Sequence, residues 1–160
     1  MKSWFLRTGP SPVVYVVRMG LTSLVPSVAF AVVLLAILTP LGVPAHQMAP
    51  EFKGPSPPVL FIEVVLLSPI AETVAMSLGI MLISRLTKRP FVIAAVSAVV
   101  WAALHSAVAL IWGLVILWPF FVFSCAYLAW RPQGWLKAVT MAACIHIFQN
   151  LLPGMLVFLS

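Results

Sequence analysis

Four residues of types that do chemistry stand in stretches otherwise suited to hydrocarbon: Glu72, His105, His146 and Asn150. An ionisable side chain at mid-bilayer is costly, so its default reading is functional. Residues four apart share a helix face, and the chain pairs Ser68 with Glu72, Trp101 with His105, and His146 with Asn150 at that spacing. Three helices then each carry a polar stripe, and in a bilayer such stripes face one another or a water-filled cavity. The set suits hydrolysis of an amide. A carboxylate sheltered from bulk solvent can act as a base toward water, a neighbouring imidazole can share or orient that water, and a His with an Asn can donate to a developing oxyanion. No serine or cysteine nucleophile is required.

The elements that carry these residues follow from composition. Of 160 residues, 63% are hydrophobic and 8% charged, with a mean hydropathy of +1.16, far more apolar than a water-soluble fold of this size needs. Arg18 to Glu51, Arg89 to Arg131 and Lys137 to the C-terminus hold no charge between their ends, and Lys53 to Arg85 holds only Glu63 and Glu72. A span takes about 20 apolar residues, so the Arg89 to Arg131 stretch accommodates two and the others one each. The expected fold is an all-α polytopic bundle of about five spans, near residues 13–39, 58–84, 90–109, 113–130 and 138–159, in one integral membrane domain over 1–160. Gly113 is expected to mark the reversal between the third and fourth helices.

Charge placement tests this layout, because Lys and Arg collect on the cytoplasmic side of short loops. With the N-terminus inside, one side holds Lys2, Arg7, Arg18, Arg85, Lys88, Arg89, Arg131 and Lys137, and the other only Lys53. That pattern predicts an N-in, C-out protein. The net charge of +6 is thus an orientation signal and not a nucleic-acid footprint, although some cations are placed to meet anionic head groups. Ala29-Phe30-Ala31 mimics a signal-peptidase site, but the apolar run continues through Leu38 and reads as a retained helix. Cys125 and Cys144 fall inside spans and suggest no disulfide.

Prolines at 40, 44, 50, 55, 57 and 58 crowd the first loop, and Pro26, Pro69 and Pro119 fall inside helices. Each of the latter removes a hydrogen bond and tends to kink the axis. Pro69 matters most, since it stands three residues before Glu72 and can free backbone and space beside the carboxylate. Depth agrees across the helices. Measured from the basic side at 1.5 Å per residue, Glu72 lies roughly 20 Å deep, His105 roughly 22 Å, and His146 and Asn150 roughly 12 and 18 Å. Glu63, nine residues before Glu72, falls on the opposite face of a regular helix at about 100° per residue. Cys144 points away from His146, and His46 lies in the Pro-rich loop, where water solvates it.

At these residues the chain resembles the CAAX-protease and bacteriocin-processing family of glutamate-dependent intramembrane proteases, whose pattern is Glu-Glu-x-x-x-Arg, then Phe-x-x-x-His, then His-x-x-x-Asn. Ser68-Pro69-Ile70-Ala71-Glu72-Thr73 is similar to the lead-in of the first block, Trp101-Ala102-Ala103-Leu104-His105 to the second with Trp for Phe, and His146-Ile147-Phe148-Gln149-Asn150 fits the third. The resemblance covers residues 68 to 150. It implies that Glu72 and His105 activate water and that His146 and Asn150 form an oxyanion hole; Ser68 and Trp101, on the Glu72 and His105 stripes, are expected to line the cavity. It also implies a membrane-anchored protein or peptide substrate and no obligatory cofactor, while the compact loops suggest a bacterial inner membrane. Thr73 and Ser77 stand where the family has its second Glu and its Arg.

Competing readings use the same residues. Two histidines on different helices suit a b-type haem, and with Glu72 they make a two-His-one-carboxylate zinc set. Glu72 also suits a proton relay, and His146 with Asn150 suits hydrogen-bond glue between helices, as in a non-catalytic protein on the same scaffold.

Overall fold

Proline opens three of the long helices, at the helical position where a missing N–H costs nothing. The computed structural model describes residues 4–9, 11–51, 54 and 56–159, and among these the chain is all-α with no strand. Lys2 and Lys53 of the charge pattern lie outside the described residues. Helix α1 spans Pro12–Leu38, α2 Pro57–Leu86, α3 Pro90–Ser106, α4 Trp112–Trp130 and α5 Trp135–Leu159. By length and composition α1, α2, α4 and α5 can each cross a membrane, which makes this a membrane-type helical bundle.

Helix α3 has 17 residues, about 26 Å at the helical rise, short of a hydrocarbon core of about 30 Å. It ends at Ser106 rather than the expected 109, so His105 occupies its last turn. Residues 107–111 make the reversal. Gly113 lies beyond it, in the first turn of α4, where a Cβ would collide with the Ala102 carbonyl and the Ser106 hydroxyl. That glycine therefore serves close helix packing and not the turn. The loop after α1 folds onto this short hairpin: it contains a single helical turn, Ala45–Met48, and the Gln47 carbonyl accepts from the Ile111 N–H at 2.8 Å.

Helix α5 begins at Trp135, earlier than the expected 138. Gly134, at φ +115°, leads the chain out of the 3-10 turn Arg131–Gln133 directly into the helix. Helix α4 is the centre of the bundle, with Phe120, Val122, Phe123, Cys125 and Ala126 at most 2% exposed. Lipid supplies no hydrophobic drive between helices, so close packing and interhelical hydrogen bonds must hold them. Trp118 Nε1 donates to the Thr22 carbonyl at 2.7 Å, tying α4 to α1. Gly20 of α1 receives the Phe148 ring of α5 where a Cβ would clash.

One irregularity sets the position of the site. Residues Glu63–Leu67 of α2 form a π-helical segment, so that the Ser68 N–H bonds back to the Glu63 carbonyl. It lies immediately ahead of Pro69, whose ring clashes with the carbonyl four residues before it in a regular helix. The wider turn relieves that clash, and such segments rephase everything beyond them.

Candidate active site

Glu72 stands one turn past the π segment, and its two oxygens have different surroundings. Oε1 accepts from the Ser68 hydroxyl at 2.6 Å. Oε2 faces both imidazoles, 3.8 Å from His105 Nε2 and 3.9 Å from His146 Nε2. These gaps exceed a direct hydrogen bond but suit a small molecule held between the groups. His146 is 4% exposed, His105 13% and Glu72 24%, so the carboxylate remains reachable.

Second partners orient the rings. His105 Nδ1 lies 2.8 Å from the Trp101 carbonyl, which can only accept, so Nδ1 carries a proton and the neutral ring presents the Nε2 lone pair toward Glu72. His146 Nδ1 pairs with the Thr73 hydroxyl at 3.3 Å. Aromatic rings close the remaining sides. Phe123 stacks on His146 with centroids 4.3 Å apart, Phe120 lies 5.3 Å from both imidazoles, and Trp112 meets His105 edge-on at 4.8 Å.

A cavity of about 610 Å³ joins these groups, with Ser68, Glu72, His105, His146, Gln149 and Asn150 in its wall. It extends away from the basic helix ends, between the C-terminal halves of α1 and α5, as far as Met48 and Glu51 of the first loop. Its size is that of an ordinary ligand pocket, roughly 300–1,000 Å³. All four residues singled out from the sequence, and Ser68, share this cavity. Trp101 does not line it. Its indole instead stacks on Phe120 at 4.8 Å, nearly parallel, within the apolar core, and it meets His105 through its backbone carbonyl and a tilted ring contact at 5.9 Å.

Glu63 corrects the sequence reading in the other direction, because it lines the same cavity as Glu72. A regular helix would separate the two by half a turn. The π segment inserts one extra residue per turn, worth about 100° of phase, and so brings Glu63 round toward the cavity. Asn150 also has a partner that spacing cannot reveal: its Nδ2 donates to the Val64 carbonyl at 3.0 Å. Gln149 is a residue that sequence reasoning misses altogether. Its Oε1 accepts from Ser23 at 2.7 Å and its Nε2 donates to Ser27 at 2.9 Å, which fastens α5 to α1 at the edge of the cavity. The available signal is two serines four apart, Ser23 and Ser27, on a helix whose other residues beyond Thr22 are apolar.

No known family model matches this chain, and neither a curated protein nor a solved structure gives a significant match.

Thr73 and Ser77, where the family motif carries Glu and Arg, are both fully buried. Thr73 is engaged with His146, while Ser77 donates to the Val74 carbonyl at 2.7 Å and accepts from Trp135 Nε1 at 3.1 Å. Small hydroxyls here fit a closely packed α2–α5 contact. Among the described residues no group of three or more His, Cys, Asp or Glu is arranged to hold a metal ion. Around zinc, with ligand bonds of about 2.0–2.1 Å, tetrahedral neighbours stand roughly 3.4 Å apart, closer than the gaps from Glu72 to the imidazoles. Cys125 and Cys144 are free thiols. His46 is exposed in the loop turn.

Proposed function

We propose that the chain is a glutamate-dependent intramembrane endopeptidase, divergent in its first motif, which hydrolyses a peptide bond in a membrane-anchored protein or its C-terminal tail. The observation that carries this reading is the sharing of one carboxylate oxygen, Glu72 Oε2, between two imidazole nitrogens at 3.8 and 3.9 Å. A water between them can give one hydrogen bond to Glu72 Oε2 and one to His105 Nε2, because both atoms are acceptors. Its lone pair is then free to attack.

In the first step the water oxygen bonds to the substrate carbonyl carbon and its proton passes to Glu72. The carbonyl π electrons move to oxygen, giving a tetrahedral oxyanion. His146 stabilises that charge when the Thr73 hydroxyl donates to Nδ1, which leaves Nε2 protonated on the Glu72 side. In the second step the C–N bond breaks, the carbonyl re-forms, and protonated Glu72 returns its proton to the leaving amine. The acid and amine products account for both atoms of the water O–H bond. Neither a nucleophilic side chain nor an external reductant enters.

The basic helix ends and short connections support an inner-membrane protein of a bacterium with its N-terminus in the cytoplasm. The experiment is a processing assay in membranes with a tagged, membrane-anchored substrate, repeated on purified protein with a chelator. Glu72→Gln, which keeps the Ser68 contact but cannot take a proton, should lower cleavage by about 10²–10⁴-fold, while chelation should leave the wild type active. Normal cleavage by the Glu72→Gln variant overturns the mechanism, and loss on chelation transfers the site to a metal.

A further inference from the structure

We infer that Asn150 serves this site as a positioning residue for Glu72, by donating to a backbone carbonyl that Pro69 leaves without a helical partner. The link to cleavage rests on the peptidase reading above; the link between Asn150 and Pro69 stands on hydrogen-bond accounting alone.

At the end of the π segment the Ser68 N–H reaches back five residues to the Glu63 carbonyl, the π register. The next bond in the same register would run from residue 69 to the Val64 carbonyl. Residue 69 is proline and has no N–H. Val64 is 7% exposed, so water does not readily reach its carbonyl, and an unsatisfied carbonyl at membrane depth is costly. Asn150 Nδ2 fills the vacancy at 3.0 Å from across the α2–α5 contact.

The neighbouring turn of α5 reinforces this match. Gly154 lies four residues after Asn150, on the same face, and has no Cβ where the Val65 side chain enters. Helix α5 therefore meets two successive residues of the π segment, one through an amide and the next through a missing side chain. Together they hold the wide turn.

That turn decides where Glu72 points. Removing its extra residue would rotate the rest of α2 by about 100°, taking Oε2 away from both imidazoles. On this account Asn150 acts on the reaction through the phase of α2. The oxyanion role suggested by the motif resemblance belongs to His146.

A double-mutant cycle separates the two roles. Pro69→Ala restores an N–H at residue 69 able to serve Val64, so Asn150→Leu should harm the Pro69→Ala protein much less than the wild type. Two readouts are taken on full-length protein in detergent: the thermal unfolding midpoint and the cleavage rate of the tagged substrate. The expected result is that Asn150→Leu lowers both in the wild type, cleavage by at least tenfold, and that most of each loss disappears in the Pro69→Ala background. Equal losses of midpoint in both backgrounds overturn the hydrogen-bond linkage. A midpoint that recovers while cleavage remains lost shows that Asn150 contacts the substrate, overturning the positioning role. If Glu72→Gln cleaves normally, the peptidase reading fails, and the midpoint cycle still tests the linkage by itself.

Discussion

Nδ1 of His105 donates to the carbonyl of Trp101, four residues back on the same helix, at 2.8 Å. In the neutral ring this bond leaves Nε2 as the lone pair facing the carboxylate, since a carbonyl cannot donate. It uses the end of α3: His105 is in the last turn, where the backbone is near its C-terminus and the chain is about to reverse. On the proposed mechanism, a water between Glu72 and His105 then has two acceptors and keeps its oxygen available for attack.

His105→Ala should accordingly reduce cleavage by about 10²–10³-fold, in the range for removal of an acid–base partner, with little effect on folding because His105 is only partly buried. The check is a rate measurement beside a thermal melt. A variant that melts like wild type and still cleaves at full rate would remove His105 from the mechanism.

Thr73→Val tests the orientation of His146. Valine keeps the volume of the fully buried threonine but deletes the hydroxyl 3.3 Å from Nδ1, and a buried polar atom stripped of its partner costs about 1–3 kcal/mol. Turnover should fall by roughly 5- to 150-fold if that cost is borne in the transition state, whereas Thr73→Ser should restore most of it. An equal loss in the Ser and Val variants would mean that the methyl group, and not the hydroxyl, matters.

Gln149→Leu should loosen α1 from α5. Two hydrogen bonds, to Ser23 and Ser27, are lost together, and interhelical bonds in membranes contribute about 0.6 kcal/mol each on average, so a destabilisation of about 1 kcal/mol is expected. The measurement is reversible unfolding in detergent, with Ser23→Ala/Ser27→Ala as the partner variant. Combining all three changes should add little, because they delete the same contacts.

Much of the architecture was legible as hydropathy and charge, because a bilayer tolerates few structures. Every backbone group must be satisfied within the segment, so long uncharged runs become helices, and the expected positions differ from the observed ends by only a few residues. That Glu72, His105, His146 and Asn150 share one cavity was legible for the same reason, since polar groups at matched depth on three helices must find one another.

Tertiary structure decided the azimuths and the partners. Pro69 announced a disturbance in α2, but whether it appears as a kink or a π segment depends on what packs against it, here Asn150 and Gly154. That choice rephases the helix and brings Glu63 into the cavity wall with Glu72, contrary to a count at regular pitch. Trp101 shares a stripe with His105, yet Phe120 offers its ring a stacking surface inside the core, and Trp101 touches His105 from there without lining the cavity. Spacing along one chain specifies which residues share a face. Which face meets which neighbour depends on residues tens of positions away, as in the pairing of Thr73 with His146.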